Sequence, residues 1–311
     1  MNIKNTLRIF LNLILLATGV PFLLGFVNEI HPLFDSYSHF RVHLLLLILP
    51  LLILLSFFYK KRRAFIYLLL VTIGSFYLYY ITQPFKATPI DKKRTHQLKH
   101  LQFNLNFRNQ RMVEFKEYLR DTKPDVVTMQ EVTPLHKKAL EELKADIYPY
   151  QIYCKFQTVG GVAILSKHPF NKENAICMEG KGLVWSQILV DKYPINIVSI
   201  HTYWPFPYSQ PEQIQTIKEV FKEIKGSTLI AGDFNAAAWS HSVKEIESVS
   251  HTEVVKGMRW SITLQKQFSS IPNFKLAIDH VLLSKEFQVE EIFVEKGLGS
   301  DHSPIVSKIW Y

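Results

Sequence analysis

Only two cysteines occur among the 311 residues, too few for a disulfide-built scaffold or a cysteine-ligated zinc site. Glycine (12) and proline (15) are too sparse for a collagen-like or low-complexity chain, and the sequence shows no internal repeat. A hydrophobic fraction of 48% excludes a disordered protein. Acidic residues are scarce at one end: residues 1–90 hold only Glu29 and Asp35, against eight Lys/Arg. Most of the net charge of +9 therefore belongs to this segment, and residues 91–311 carry a net of only +3. The basic pI is thus a poor argument for nucleic-acid binding, because the charge does not lie on the larger part of the chain.

Three apolar runs fill that N-terminal segment: Leu7–Val27, His43–Tyr59 and Ala64–Thr82. Each approaches the roughly 20 residues a helix needs to cross hydrocarbon, so residues 1–85 are expected to form a membrane anchor of three transmembrane helices. The first run lacks a small-x-small cleavage site and is followed by two more, which favours an anchor over a signal peptide. Lys4, Arg8 and the loop Lys60-Lys61-Arg62-Arg63 are basic, whereas the loop 28–42 is not. The positive-inside tendency then puts the N-terminus and the basic loop in the cytoplasm, and three spans put the rest on the periplasmic or extracytoplasmic side. Lys86 and Asp91-Lys92-Lys93-Arg94 oppose this orientation, but long domains translocate largely regardless of charge.

Residues 86–97 are polar and follow or contain Pro84 and Pro89, which reads as a linker. Residues 98–311 then alternate short aliphatic runs with amphipathic stretches. Strands are expected at 98–105, 125–129, 160–165, 186–190, 195–200, 228–231, 278–284, 289–294 and 304–309. Helices are expected at 111–121, 134–145 and 210–225, the last with Ile214, Ile217, Val220, Phe221 and Ile224 on one face. Strands outnumber helices, which suggests an α/β sandwich of two packed mixed sheets flanked by helices, four layers in all.

Polar residues gather at the tips of these strands, where a layered fold can bring distant side chains into one pocket. They are Asn104, Gln130-Glu131, His201, Gly232-Asp233-Phe234-Asn235, Asp279-His280 and Ser300-Asp301-His302. Singly, each is compatible with a solvated turn or a structural histidine. In this order, over residues 98–311, the set resembles the endonuclease/exonuclease/phosphatase superfamily, the group of deoxyribonuclease I-like enzymes. Asn109, Gly161-Val162-Ala163-Ile164-Leu165-Ser166, Trp239-Ser240 and Ile278-Asp279-His280-Val281-Leu282 are similar to the membrane-anchored bacterial branch. Lys167 stands where that branch often has Arg, and Ala237-Ala238 where it often has Thr-Pro; neither position carries chemistry.

Phosphodiester hydrolysis needs a cation on the phosphate, an oriented water and stabilisation of the transferring group. Glu131 is a hard carboxylate suited to Mg²⁺, with Mn²⁺ as the alternative. The resemblance adds Asn104 and Asp301 to that metal. It also implies that Asp233 orients or deprotonates the water, that Asn235 donates to phosphate, and that His302, held by Asp279, contacts phosphate. His201 is implied as a second phosphate donor or the leaving-group acid, and the choice of base between Asp233 and His302 stays open. Asn235 reaches the same side as Asp233 if that segment remains extended. His280 is read as structural, and Trp204 and Trp260 as wall candidates. Cys154 and Cys177 suit a disulfide on an oxidising side and equally suit free thiols.

The expected function is therefore a membrane-anchored, metal-dependent phosphodiesterase acting by in-line attack of water, with the lipid bilayer and a phosphate ester as partners. A nuclease acting on DNA or RNA and a lipid or small-molecule phosphatase are the alternatives. A non-catalytic binding module is disfavoured, because Glu131, Asp233, Asn235 and His302 are all retained. The short stretch between Asp233 and Asp279 leaves little room for DNA-gripping insertions.

Overall fold

Apolar runs make the first elements helical: α1 (Ile3–Leu24), α2 (Pro32–Ser38), α3 (Arg41–Ser56) and α4 (Lys61–Ile81). The computed structural model describes residues 3–157, 160–264 and 274–311. It divides into one unit of Met1–Pro84 with Pro205–Pro207 and Trp239–His241, and a second unit holding the remainder. In the first unit, His31 caps α2 by accepting from Leu33 N at 3.0 Å, and Pro32 fills the first helical turn. Arg41 is buried at the start of α3, its guanidinium 4.3 Å from the Phe26 ring and donating to Gly25 O at 2.5 Å.

The expected three spans are corrected here. Among the described residues, two stretches are long and apolar enough to cross a membrane, Ile3–Val27 and Lys61–Ile81. A third exists only if α2 and α3, bent by 67°, count as one span. The 16 residues of α3 rise about 24 Å, short of the roughly 30 Å hydrocarbon core, which is why the leucine run alone does not make a full crossing.

The second unit begins with residues that hold no regular structure yet are fastened. Asp91 N donates to Gln288 Oε1 at 2.9 Å, and Gln288 Nε2 donates to Pro89 O at 2.7 Å. The chain then continues through β1 (Gln97–Asn104), α5 (Met112–Thr122), β2 (Val126–Val132), α6 (Pro134–Glu141), β3 (Tyr150–Gln157), β4 (Gly160–Ser166), β5 (Phe170–Met178), β6 (Leu183–Val190) and β7 (Tyr193–His201). There follow α7 (Gln210–Phe221), β8 (Thr228–Asp233), α8 (His241–Ser250), β9 (Thr252–Val254), β10 (Ile262–Thr263), β11 (Lys275–Leu276), β12 (Asp279–Ser284), β13 (Gln288–Val294) and β14 (Ile305–Trp310). Strands β3, β5, β9, β10 and β11 and helix α8 lie outside the sequence expectations.

One six-stranded sheet has the order β13-β14-β1-β2-β4-β3 and the other β5-β6-β7-β8-β12-β9, with β10-β11 a separate ribbon. Both are mixed, because β1/β2 and β7/β8 are parallel pairs among antiparallel neighbours. Alternation along β1 sorts its residues: Leu101 and Phe103 face α5, where Phe103 and Phe115 rings lie 5.3 Å apart. Leu98 faces the other way, into a core with Val126, Ile164, Ile197, Leu229, Val281 and Ile305 drawn from both sheets. Behind the second sheet, Val198, Ile200 and Ile230 pack on Ile214, Ile217 and Phe221 of α7 and Val243 and Ile246 of α8. The layers are therefore helix, sheet, sheet, helix.

Cys154 on β3 and Cys177 on β5 form a disulfide, with Cα atoms 5.4 Å apart. Each cysteine is on an edge strand, so the bond ties the rim of one sheet to the rim of the other. The chain-entropy estimate for a loop of this length, 23 residues, is roughly 3 kcal/mol. Replacing both cysteines by serine should lower the thermal midpoint of the full chain, and a reductant should lower the parent's midpoint alone. Equal midpoints for parent and double variant under non-reducing conditions would show that the link contributes no stability.

Candidate active site

The strand directions bring six tips together. Because β1/β2 and β7/β8 are parallel pairs, Asn104, Glu131, His201 and Asp233 stand at or beside C-terminal strand ends. β12 and β14 run antiparallel to β8 and β1, so Asp279 and His302 reach the same end from the start of their strands. Inward-facing side chains change character along the way: Leu98, His100, Gln102 and Asn104 of β1 run from the apolar core to the site. His100 marks the boundary, its ring nitrogens 3.2 Å from Ser307 Oγ and 3.0 Å from Thr128 Oγ1. Burial lowers its pKa to about 3, so it is a neutral core group.

Glu131 is aimed by backbone distortion. The β2/β4 register shifts between Met129 and Val132, and Glu131 itself has φ +55°. Such a bulge re-aims one side chain out of the ladder. Gly160 opposite has φ +109°, and a Cβ there would sit 2.6 Å from the Glu131 carbonyl carbon. The Glu131 carboxylate accepts from Phe107 N at 2.8 Å and Asn104 Nδ2 at 3.3 Å. Asp301 accepts from Asn106 Nδ2 at 2.6 Å. Among the described residues no lysine or arginine pairs with either carboxylate. Burial raises the Glu131 pKa; the Phe107 N–H, the His302 charge and Asn104 oppose that rise, and Asp301 adds to it.

Asp233 is the hub of the other flank. Its Oδ1 accepts from Asn235 N at 2.8 Å, and its Oδ2 from Asn104 Nδ2 at 2.9 Å. His201 Nε2 and His302 Nε2 each lie 3.6 Å from Asp233 Oδ2. His302 Nδ1 donates to Asp279 Oδ2 at 2.8 Å, as the sequence reading expects of a carboxylate that orients the imidazole. Asn235 departs from expectation. Its φ of +46° breaks the extended path, and its Nδ2 donates to Thr202 O at 2.7 Å, so one amide hydrogen is already committed.

A sequence model of the Endonuclease/Exonuclease/phosphatase family matches residues 101–302. The chain belongs to this family. Solved structures agree in fold. An endonuclease/exonuclease/phosphatase from Bacteroides vulgatus is 17% identical with a TM-score of 0.54, over 69% of this chain and 99% of its own. Truncated Caenorhabditis elegans TDP2 is 14% identical with a TM-score of 0.55, over 71% and 100%. A Staphylococcus aureus beta toxin variant with bound magnesium ions is 17% identical with a TM-score of 0.51, over 68% and 99%. No curated protein sequence matches the chain.

For this family member the residues fit a hard divalent cation beside Glu131 and Asp301, carboxylates with which no lysine or arginine pairs among the described residues, with Asn104 between Glu131 and Asp233. Asp233, Asp279 and His302 also present ligand atoms within 4.8 Å of one another, but an imidazolium bonded to Asp279 leaves no lone pair for a metal. Several residues around the site escaped the sequence reading. Gln102 Nε2 donates to Asp279 Oδ1 at 2.8 Å, Ser261 Oγ accepts from Asp279 N at 3.2 Å, and His136 packs its Nδ1 3.3 Å from Glu131 O. The period-2 alternation that puts Asn104 inside the sandwich also puts Gln102 there, which is the signal that could have found it. His280 donates to Ala236 O at 2.7 Å, a structural role. Trp204 remains 39% exposed beyond His201.

Burial disfavours charge on His302, but Asp279 and Asp233 outweigh it and raise its pKa to about 10. His201 goes the other way: burial and the neighbouring His302 charge lower it to about 3. Asp233 is pushed up to about 7 by burial and by Asp279. Because His302 holds its proton more tightly folded than unfolded, its contribution to stability is complete below about pH 6.5 and is lost as pH rises toward 10. In chelator, the thermal midpoint of the full chain should fall across pH 6.5–10, and His302→Asn should flatten that part of the curve. An unchanged slope in the variant would refute a native imidazolium.

Proposed function

We propose that this family member is a membrane-anchored, divalent-metal-dependent phosphodiesterase that hydrolyses its substrate by in-line attack of water. The observation that carries the reading is the convergence of two carboxylates, Glu131 and Asp301, with which no lysine or arginine pairs among the described residues, beside the Asp233–His302–Asp279 cluster. The magnesium of the beta toxin relative supports Mg²⁺ as the ion. Asn104, Glu131 and Asp301 would hold it, and when bound it neutralises phosphate charge and helps orient the water.

The remaining work falls to the protein. Asp233 accepts the water's proton; a carboxyl raised to about 7 is suited to a base near neutral pH. His302, protonated and fixed by Asp279, donates from Nε2 to a phosphate oxygen and offsets charge that grows in the transition state. His201, neutral and buried, donates a hydrogen bond on the same side without adding charge. Asn235, pinned to Thr202 O, offers its second amide hydrogen to the substrate.

The test is hydrolysis by the full chain in detergent, with Mg²⁺, of bis-p-nitrophenyl phosphate, DNA, RNA and phospholipid. Glu131→Gln keeps size but removes charge, so it should raise the metal concentration required and reduce turnover. His302→Ala should reduce turnover by ~10²–10³ with little change in metal requirement, the magnitude typical of one transition-state donor. Activity that persists in chelator, or that ignores Glu131→Gln, would sink the metal mechanism.

The location proposed is a multi-pass membrane protein with its catalytic domain outside the cytoplasm. The basic loop Lys60–Arg63 supports this orientation if the bent pair α2–α3 counts as one crossing, and the Cys154–Cys177 disulfide suits an oxidising compartment. A reporter enzyme fused after Tyr311 should behave as exported. A reporter active only in the cytoplasm would overturn this orientation.

A further inference from the structure

Asp279 is completely buried, and His302 accounts for only one of its carboxylate oxygens. The other, Oδ1, accepts from Gln102 Nε2 at 2.8 Å. Asp279 belongs to one sheet and Gln102 to the other, so the bond crosses the inter-sheet space. Gln102 is itself held: its Nε2 also donates to Gln130 Oε1 at 2.9 Å, and Gln130 Nε2 donates to Ser199 Oγ at 3.1 Å. Ser199 Oγ completes the chain by donating to Met129 O at 3.0 Å. Gln102, Gln130 and Ser199 are all 0% exposed, so no water competes for these bonds. Among the described residues the Gln102 Oε1 atom has no partner, which means that the amide is turned to place both of its donors on Gln130 and Asp279 at the expense of its own acceptor.

We infer that Gln102 is a positioning residue for the proposed hydrolysis: it fixes the Asp279 carboxylate so that Oδ2, and through it the His302 ring, points at the substrate phosphate. The inference rests on the phosphodiesterase reading for its consequence in rate, but the geometry it asserts does not. A carboxylate anchored at one oxygen can swing about its side-chain torsions. A second, charge-assisted bond at the other oxygen removes that freedom, and a buried oxygen left without a donor is costly. Ser261 accepts from the Asp279 backbone N–H and its hydroxyl also favours the charged Asp279 carboxylate, but it lies on the Asp279 side of the sandwich, whereas Gln102 reaches Oδ1 from the opposite sheet. The amide chain also makes the catalytic pair a bond between the two sheets, so that sheet-on-sheet alignment and imidazole orientation are set together.

The test uses the full chain. Gln102→Met keeps length and burial but removes the donor. It should lower kcat about tenfold, within the 10- to 100-fold range of outer partners that orient a catalytic ligand, with KM and metal requirement unchanged. In an Asp279→Asn background the same substitution should cost less than about twofold, because its effect passes through Asp279. Thr128→Val, which removes a neighbouring buried hydrogen bond to His100, controls for general loosening of the core and should leave kcat where it is. Multiplicative losses in the double variant would overturn the inference. A second readout needs no substrate: the Nδ1 proton resonance of His302, assigned by its loss in His302→Ala, should shift in Gln102→Met and not in Thr128→Val. An unmoved resonance overturns the inference, whereas a shifted resonance in a chain that hydrolyses no phosphodiester would overturn only the function.

Discussion

A charged pair buried between two sheets constrains everything around it. Asp279 is 0% and His302 4% exposed, and neither can be left alone there without a cost of several kcal/mol. Their mutual bond at 2.8 Å offsets part of that cost, and the rest must come from donors and acceptors supplied by the sheets. Gln102, Ser261 and, through Asp233, Asn104 and Asn235 meet that need. Polar side chains therefore replace aliphatic ones on the inner faces at this end of the sandwich. At the other end Leu98, Val126, Ile195 and Leu229 keep the sheets together by burial alone.

The same need explains the irregular backbone. A regular ladder alternates side chains strictly across the sheet and cannot direct two consecutive groups toward one point. The bulge at Gln130–Glu131 and the left-handed Glu131 break that alternation, so Gln130 faces the amide chain while Glu131 turns to Asn104 and Phe107. Asn235 uses the same device two residues after Asp233, and its N–H returns to the Asp233 carboxylate. Left-handed non-glycine residues carry a conformational cost, and they persist here because several hydrogen bonds over-determine them.

Much of this was legible in the sequence because the strands of the sandwich are aliphatic and end in polar tips. β1, β7, β8, β12 and β14 lie within a few residues of where their patterns place them. β3 and β5 were not legible: both are edge strands, and edge strands carry the charged and amide residues seen in Asn171-Lys172-Glu173-Asn174. The membrane segment misled in the opposite sense, since a dense leucine run signals hydrophobicity and says nothing of a 67° bend before it. Among site residues, carboxylates and histidines at strand tips were visible as a motif. Gln102 was not, because a lone amide inside a strand reads as an ordinary interior position until its partner on the other sheet is known.

Charge arithmetic gives the two flanks of the site distinct characters. On one flank the Asp233 and Asp279 carboxylates face the His302 imidazolium, so the residual charge is about one negative, and a proton on Asp233 removes even that. On the other flank, among the described residues, Glu131 and Asp301 are hydrogen-bonded by neutral donors, Asn104, Asn106, Ser300 Oγ and the Phe107 N–H, and feel a positive charge only through the field of the neighbouring His302. A phosphodiester brings a further negative charge, which the first flank can receive through His302 and the second cannot receive at all without a cation. Neutral donors in a poorly hydrated cleft stabilise a carboxylate but do not cancel its field. A divalent ion on the Glu131 side therefore complements this protein's own groups, and the proton chemistry is left to the Asp233 side, where the carboxyl is raised toward neutrality and the two imidazoles, His201 and His302, are driven apart.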